Sequence, residues 1–175
     1  MAEETDIITI RVPKSLKNKL EERSKKNRNP LNLTLNKILE KETKWDEHLS
    51  EMGWLQFDPS TVRIIFSLLN ESQIKEIAKQ NKHDIISSIK FIYENPSYEN
   101  TIDFIESWFK SANMTFRHII NGNSHKFIVN HNMGKNWSIF AIAVTNEFLS
   151  ELGFIQTNTS IENNAYTFEI MSRNS

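Results

Sequence analysis

The histidines are the residues of this chain best suited to chemistry near neutral pH, because imidazole gains and loses its proton there. Five occur, at positions 48, 83, 118, 125 and 131, and the chain has no cysteine. Without cysteine, the chain can form no disulfide, no thiolate nucleophile and no zinc-thiolate site. Any metal would have to be held by imidazole and oxygen ligands.

His118 and His125 lie in two alternating segments on either side of Asn121-Gly122, a strong signal for a two-residue hairpin turn. Such a turn places His118 opposite His125, and two imidazoles at that spacing could bind zinc or nickel. The same register pairs apolar residues with each other, Phe116 with Phe127 and Met114 with Val129. No third ligand is obvious, since His131 would need a bend in the strand to join the pair. We therefore expect no metal and no cofactor. The candidates, should a metal bind, are His118, His125 and His131.

The segment 131–138, His-Asn-Met-Gly-Lys-Asn-Trp-Ser, allows two interpretations. It could be a ligand-binding turn at the start of a helix, with Lys135 for charge and Trp137 as a flat surface. It could also be a strand-to-helix corner with Trp137 in the core, which is the interpretation that we favour. The sequence contains no Ser-His-Asp motif, no paired carboxylates, no phosphate-binding loop and no dinucleotide motif. We expect a protein that is not an enzyme.

Charge is distributed unevenly along the chain. The net charge is only −1, yet residues 7–37 contain nine Lys/Arg against two Glu, a balance of +7. Residues 45–175 contain ten Lys/Arg against fifteen Asp/Glu, a balance of −5. This separation is typical of a polyanion-binding region attached to an acidic remainder, although lysine-rich faces can also serve only to solvate short helices.

The basic region begins with an alternating segment, Ile-Ile-Thr-Ile-Arg-Val at 7–12, which predicts a short β-strand. The next 100 residues are predicted to be helical, so no neighbouring strand can pair with it. A lone strand exposes unpaired backbone groups, and its simplest partner is the same strand of a second copy. One face would then carry Ile8, Ile10 and Val12. The other face would form a narrow exposed ribbon that fits the major groove of DNA.

Two helices are predicted after Pro13. Helix A contains Leu16 and Leu20 and runs to about Lys26. Helix B begins at Asn29-Pro30, a capping residue followed by proline, and extends to a stop at Gly53. Its apolar positions follow helical spacing. Together with the strand and helix A, they give a predicted dimer core of Ile8, Ile10, Val12, Leu16, Leu20, Leu31, Leu35, Ile38 and Leu39.

Residues 5–48 resemble the ribbon-helix-helix family of DNA-binding repressors, the Arc- and methionine-repressor-like proteins. The matching residues are Ile-Thr-Ile-Arg-Val-Pro-Lys-Ser-Leu at 8–16, then Leu20, Asn-Pro-Leu at 29–31 and Asn-Lys-Ile-Leu at 36–39. The resemblance implies that two strands pair across a homodimer and enter the major groove as a ribbon. It places three side chains at base edges, those of Ile7, Thr9 and Arg11. It implies phosphate contacts by Lys14, Lys17, Lys26, Arg28, Asn29, Leu31 and Asn32.

The chain departs from this family at the start of helix B. Family members usually carry a glycine before a serine or threonine there, and this chain has Arg28-Asn29-Pro30. Proline also lacks the N–H group that a phosphate-binding helix start would use. The whole chain is further similar to archaeal proteins that carry this module before a helical and α+β extension, a resemblance that transfers no activity.

The remaining residues predict an α+β arrangement. Helices are expected after Asp58-Pro59, after Asn70 with Gln73, after His83-Asp84 and from Thr101. The C-terminal third is predicted to form two strands, a helix and two further strands (ββαββ), with a second hairpin around Asn163-Asn164. We therefore predict a ribbon-helix-helix DNA-binding domain at 1–50, a helical connector at 51–112 and an α+β domain at 113–175.

The sequence as a whole predicts a dimeric, sequence-specific DNA-binding transcriptional regulator, such as a repressor. Its partners would be double-stranded DNA and a second copy of the chain, and the dimers could assemble into a higher oligomer. Whether an effector binds the C-terminal domain is left open. Two alternatives stay open, a dimeric protein-interaction module of the antitoxin kind and a small-molecule or metal sensor. No apolar run is long enough to span a membrane and no signal peptide is evident, so the expected location is the cytoplasm.

Overall fold

The structure, a computed structural model, describes residues 5–172 and divides into two compact units, Met1–Lys44 and Trp45–Ser175. We refer to the described parts, 5–44 and 45–172, as the head and the body. The residues predicted as a connector, 51–112, share one core with those that follow them. None of the helices in the described residues has the length and apolarity needed to cross a membrane.

The head consists of two helices joined by a tight turn. Helix α1 spans Lys14–Lys26, as predicted, and α2 spans Leu31–Lys41. Two hydrogen bonds between Ser24 and Asn29 close the turn: the Asn29 N–H donates to the Ser24 carbonyl (3.0 Å), and the Ser24 hydroxyl donates to the Asn29 carbonyl (2.5 Å). Arg28 has a left-handed φ of 52°, a conformation that glycine adopts more readily than a residue with a Cβ atom.

The predicted strand at 7–12 does not form in the single chain. Residues 5–13 have no regular secondary structure, and the first element is α1. A strand is stabilised by hydrogen bonds to a neighbouring strand. All described strands of this chain pair with one another in the sheet of the body, so residues 7–12 have no strand partner among the described residues.

Helix B differs from the prediction at its start and in its continuity, but not in its stop. Pro30, not Asn29, is the N-cap of α2, and no side chain caps this helix. After Lys41 the chain forms a π-helical segment, Glu42–Asp46, and then a short helix α3, Glu47–Glu51. Gly53 follows with φ 71°, so the predicted stop is confirmed.

The next helices begin where their capping residues predict. Helix α4 spans Pro59–Ser67, and the Asp58 side chain accepts from the N–H groups of Ser60 and Thr61. Helix α5 begins with a complete capping box between Asn70 and Gln73.

Helix α5 is longer than predicted. It runs unbroken over Glu71–Tyr93, so the predicted start at His83-Asp84 was wrong. The two residues are exposed, while Ile74, Ala78 and Ile85 form one continuous buried stripe on the other side. Packing along that stripe outweighs the weak capping signal of Asp84.

Helix α6 spans Tyr98–Ser111 and is capped by Ser97, not started by Thr101 as predicted. Thr101 is fully buried, and its hydroxyl donates to the Ser97 carbonyl (2.8 Å) within the first turn. Its side chain therefore bonds inside the helix.

The predicted ββαββ order is confirmed. Strands β1 (Thr115–Asn121) and β2 (Ser124–Asn130) precede helix α7 (Lys135–Glu151), and β3 (Phe154–Ile161) and β4 (Ala165–Ser172) follow it. They form one antiparallel sheet in the order β1-β2-β4-β3. The protein is therefore a mixed α+β structure.

The register of the first hairpin differs from the prediction. Its two-residue turn is Gly122-Asn123, not Asn121-Gly122, so His118 lies opposite Phe127, and His125 opposite Ile120. The two registers differ by two residues, and each side chain keeps its face of the sheet. His118 and His125 consequently become diagonal neighbours instead of direct ones.

The hydrophobic core lies entirely in the body among the described residues. Side chains from α5, α6, α7, β2 and β4 form it, including Ile89, Phe104, Phe127, Phe148 and Phe168. The head contributes no apolar side chain to it.

Candidate functional site

The side chains predicted to contact DNA bases lie on an exposed segment without regular secondary structure. Ile7, Thr9 and Arg11 are all solvent-exposed, as are Ile8 and Ile10 on the alternate positions. Neither set is covered by other described residues of the chain. The single chain does not position these side chains against one another.

The basic side chains predicted to contact phosphates are also exposed, namely Lys14, Lys17, Lys26 and Arg28. Lys17 forms an ion pair with Glu21 one turn later in α1, with 3.5 Å between Nζ and Oε1. Because both partners are exposed, this pair contributes little to stability and can exchange for a phosphate.

The start of α2 retains more hydrogen-bond donors than the sequence suggested. Pro30 is the cap and not the first helical residue. Its missing N–H therefore does not lower the number of N–H donors that the first turn of α2 offers. The first turn contains Leu31 and Asn32, whose N–H groups donate to no acceptor within the described residues. Asn29 does not cap α2, contrary to the prediction, because the helix begins at Leu31 and Pro30 occupies the N-cap position.

The apolar side chains of the head are left uncovered. Ile8 is 82% exposed, Ile10 61% and Leu39 55%. The other predicted dimer-core residues are also exposed or only partly buried, namely Val12, Leu16, Leu20, Leu31, Leu35 and Ile38. In the described head only two side chains are buried, those of Ser24 and Thr34.

A chain of hydrogen bonds links Glu106 of α6 to His118 and His125 of the sheet. Glu106 Oε1 lies 2.5 Å from His118 Nδ1, and His118 Nε2 lies 2.9 Å from His125 Nδ1. The carboxylate accepts from His118, which leaves His118 Nε2 to accept from His125. Burial lowers the pKa of His125, and a charge on His118 would lower it further.

Glu106 is held in its ionised form by its neighbours. Burial alone would raise the pKa of this carboxyl group, but hydrogen bonds from Lys110 and His118 outweigh that effect and lower it. The ring of His118 stacks on Phe127 at 4.3 Å. The sequence predicts that the two histidines lie close together, but it does not indicate that Glu106 bonds to them. Glu106 reaches His118 only because packing places α6 against the sheet.

The histidines do not assemble a metal centre in the part of the chain that the structure describes. No group of three metal-ligating side chains occurs there. His118 and His125 already bond to each other, and His131 belongs to a separate cluster. Of the three metal-ligand candidates predicted from the sequence, the structure therefore brings together only His118 and His125.

His131 is a structural residue at the strand-to-helix corner. Its side chain is buried, its Nε2 lies 2.8 Å from Ser138 Oγ, and its Nδ1 accepts from the Met133 N–H at 3.1 Å. The Ser138 hydroxyl donates to the Glu162 carbonyl (2.8 Å), so the His131 Nε2–H must donate to Ser138. Burial, followed by the charge of Arg63, lowers the pKa of His131 to about 4.

A cavity of about 660 Å³ near this corner is lined in part by Lys135 and Ile139 of α7. A second cavity, of about 600 Å³, is lined by Trp45, Trp54, Trp108 and Trp137. These are all the tryptophans of the chain. Their positions, 45, 54, 108 and 137, follow no common spacing, so the sequence does not indicate that they line one cavity.

Comparisons with protein-family models, with curated proteins and with solved structures give no match for this chain. The resemblance of the head to the ribbon-helix-helix family therefore rests on its own residues.

Proposed function

We propose that the protein is a dimeric, sequence-specific DNA-binding regulator whose paired N-terminal segments enter the major groove as a β-ribbon. The observation that carries this proposal is the uncovered apolar side of a strongly basic head. Residues 5–44 bury no apolar side chain within the chain, although the alternating segment and both helices supply apolar residues at regular spacing.

A head of this size needs a partner to be stable. Units of about 40 residues rarely bury enough surface to fold alone, and each fully buried Leu or Ile would contribute about 1.5–3 kcal/mol. A second head offers the same apolar residues about a two-fold axis. Dimerisation would also give residues 7–12 the strand partner that the single chain lacks.

Antiparallel pairing of two such segments leaves Ile7, Thr9 and Arg11 on one face of the ribbon. Arg11 can donate two hydrogen bonds to guanine O6 and N7, Thr9 can donate or accept, and Ile7 can lie against a thymine methyl group. The balance of +7 over residues 7–37 favours a polyanionic partner.

The first test selects bound sequences from random duplexes and then measures affinity by fluorescence anisotropy against salt concentration. We expect a two-fold symmetric site, and an affinity that falls steeply as salt rises, because each neutralised phosphate releases counterions. A protein that sedimented as a monomer at micromolar concentration would contradict the proposal. A dimer without salt-dependent DNA binding would instead indicate a protein-interaction module.

The second test separates base contacts from phosphate contacts. Arg11→Ala should relax base preference at one position per half-site by about 1–3 kcal/mol. Lys14→Ala should weaken binding to all sequences and make the salt dependence shallower. Lys79→Ala removes the same charge from the exposed side of α5 in the body, and DNA affinity should not change.

A further inference from the structure

The tryptophan cavity is a cleft of the body with an aromatic wall. Its volume of about 600 Å³ lies within the range of small-molecule sites, about 300–1,000 Å³. Trp45, Trp54, Trp108 and Trp137 line it together with Phe66 and Met114. The cavity is distinct from the histidine pair, whose cleft is formed by other residues.

The aromatic rings support each other edge to face. Trp45 and Trp54 have ring centroids 5.5 Å apart at 89°, and Trp54 and Trp108 are 6.2 Å apart at 87°. On another part of the wall, Phe66 and Trp137 are 5.1 Å apart at 84°. Rings held in this way lose little conformational freedom when a ligand binds.

The wall offers negative charge and π-electrons but no positive charge. Asp58 is the one charged side chain among the described lining residues, and hydrogen bonds from the Ser60 and Thr61 side chains lower the pKa of its carboxyl group. The indole N–H groups of Trp45 and Trp137 are closed to solvent and have no acceptor among the residues that the structure describes. A ligand would therefore meet ring carbons rather than these donors.

We propose that this cavity binds a lipophilic organic cation, such as a quaternary ammonium or phosphonium compound. Aromatic faces attract such cations through their quadrupole, and the attraction is strongest for indole. The Asp58 carboxylate adds charge complementarity at the same wall, and an anion would find no cationic side chain there. This proposal does not depend on DNA binding by the head.

The test titrates the full-length protein with tetraphenylphosphonium and with tetraphenylborate, two ions of the same shape and opposite charge, in sodium buffer. Quenching of tryptophan fluorescence reports the cavity, because the head contains no tryptophan and all four tryptophans line the cavity. We expect saturable quenching by the cation, and an affinity for the anion at least about tenfold weaker. Equal or tighter binding of the anion, or no saturable binding of the cation, would overturn the proposal.

Two variants of α4 locate the site. Val62→Phe places a larger side chain in the cavity wall and should weaken cation binding at least about tenfold. Ile64→Phe makes a similar change at an exposed position on the same helix that does not line the cavity, and binding should not change. Equal affinity of the two variants would place the cation elsewhere. If Val62→Phe fails to fold by circular dichroism, Ala112→Phe fills the cavity from its exposed side.

A third variant tests the charge. Asp58→Asn keeps a side chain that can cap α4, so the fold is preserved while the carboxylate is lost. Cation affinity should fall about two- to fivefold, as expected for one exposed ion pair. Asp84→Asn, at an exposed position on α5, should have no effect. An unchanged affinity of Asp58→Asn would contradict the role assigned to its charge.

Discussion

The head and the body use apolar residues in different ways. In the body, rings such as Phe104, Phe127 and Phe148 are completely buried by other elements of the same chain. In the described head, Ile8 and Ile10 are exposed, and the apolar residues of both helices are exposed or only partly buried. The body therefore has a core of its own, whereas the described head buries no apolar side chain. Under the proposed function, a second copy of the chain would cover these residues.

The largest expected effect concerns the core of the body. Phe127→Ala should lower its free energy of unfolding by about 3–5 kcal/mol, because the ring is fully buried and stacks on Phe168 at 5.2 Å. Urea denaturation followed by tryptophan fluorescence measures this change. Phe91→Ala is the matched control, since Phe91 is 52% exposed, and its cost should be below about 1 kcal/mol. A midpoint that shifted with protein concentration would show that the body also depends on association.

The next effect concerns association of the head. Leu35→Asp places a charge among the apolar residues of α2 and should weaken dimerisation by about a hundredfold or more. Sedimentation velocity measures the dimer, and tryptophan fluorescence should show an unchanged body. Asn36→Asp introduces the same charge at the next, exposed position and should leave the dimer intact. If both variants remained dimeric, the contact between copies would lie outside this face.

An effect of intermediate size is the pH dependence of the body's free energy of unfolding. Because the pKa of His131 is lowered from 6.5 to about 4 in the folded state, the unfolded chain binds more protons between these values. Stability should therefore fall as pH drops from 6.5 towards 4, by about 1.5 kcal/mol between pH 7 and pH 5. Protonation would also break the hydrogen bond that Nδ1 accepts from Met133.

Urea denaturation at the two pH values measures this slope. His131→Asn should reduce it. A slope equal to that of the unsubstituted protein would assign the pH dependence to other groups.

The smallest effect concerns the turn of the head. Arg28→Gly should stabilise the dimeric head by about 1 kcal/mol, because φ at this residue is 52° and a left-handed conformation costs an L-residue about that much. The same change removes one positive charge. The slope of the logarithm of DNA affinity against the logarithm of salt concentration should therefore fall by about 1, the value for one phosphate contact. Thermal denaturation and salt titration measure the two effects separately. Arg23→Gly, inside α1, should instead destabilise the head.

Much of the fold could be predicted because the signals that carry it are local. Asp58 caps α4 and Asn70 caps α5 through side chains that reach their own helix, and Gly53 adopts the positive φ that a helix stop requires. The ββαββ order follows from alternation and turn residues in the same way. The start at His83-Asp84 was wrong because packing of the buried stripe from Ile74 to Ile89, within a helix of 23 residues, overrides a single cap.

The register of the first hairpin could not be predicted from local signals in the sequence. Alternation decides which face each residue occupies, but registers that differ by two residues keep the same faces. The choice between Asn121-Gly122 and Gly122-Asn123 then depends on the geometry of the turn and on packing against β4, which pairs with β2. Only the tertiary structure therefore decided that His118 and His125 meet diagonally.

The sequence by itself determined the charge separation, the helices of the head and the alternation of the body, because each depends on residues close together in the chain. The tertiary structure decided the link from Glu106 to the histidines and the gathering of four tryptophans around one cavity. Those residues lie on different elements, and their side chains meet only when burial of the shared core brings the elements together.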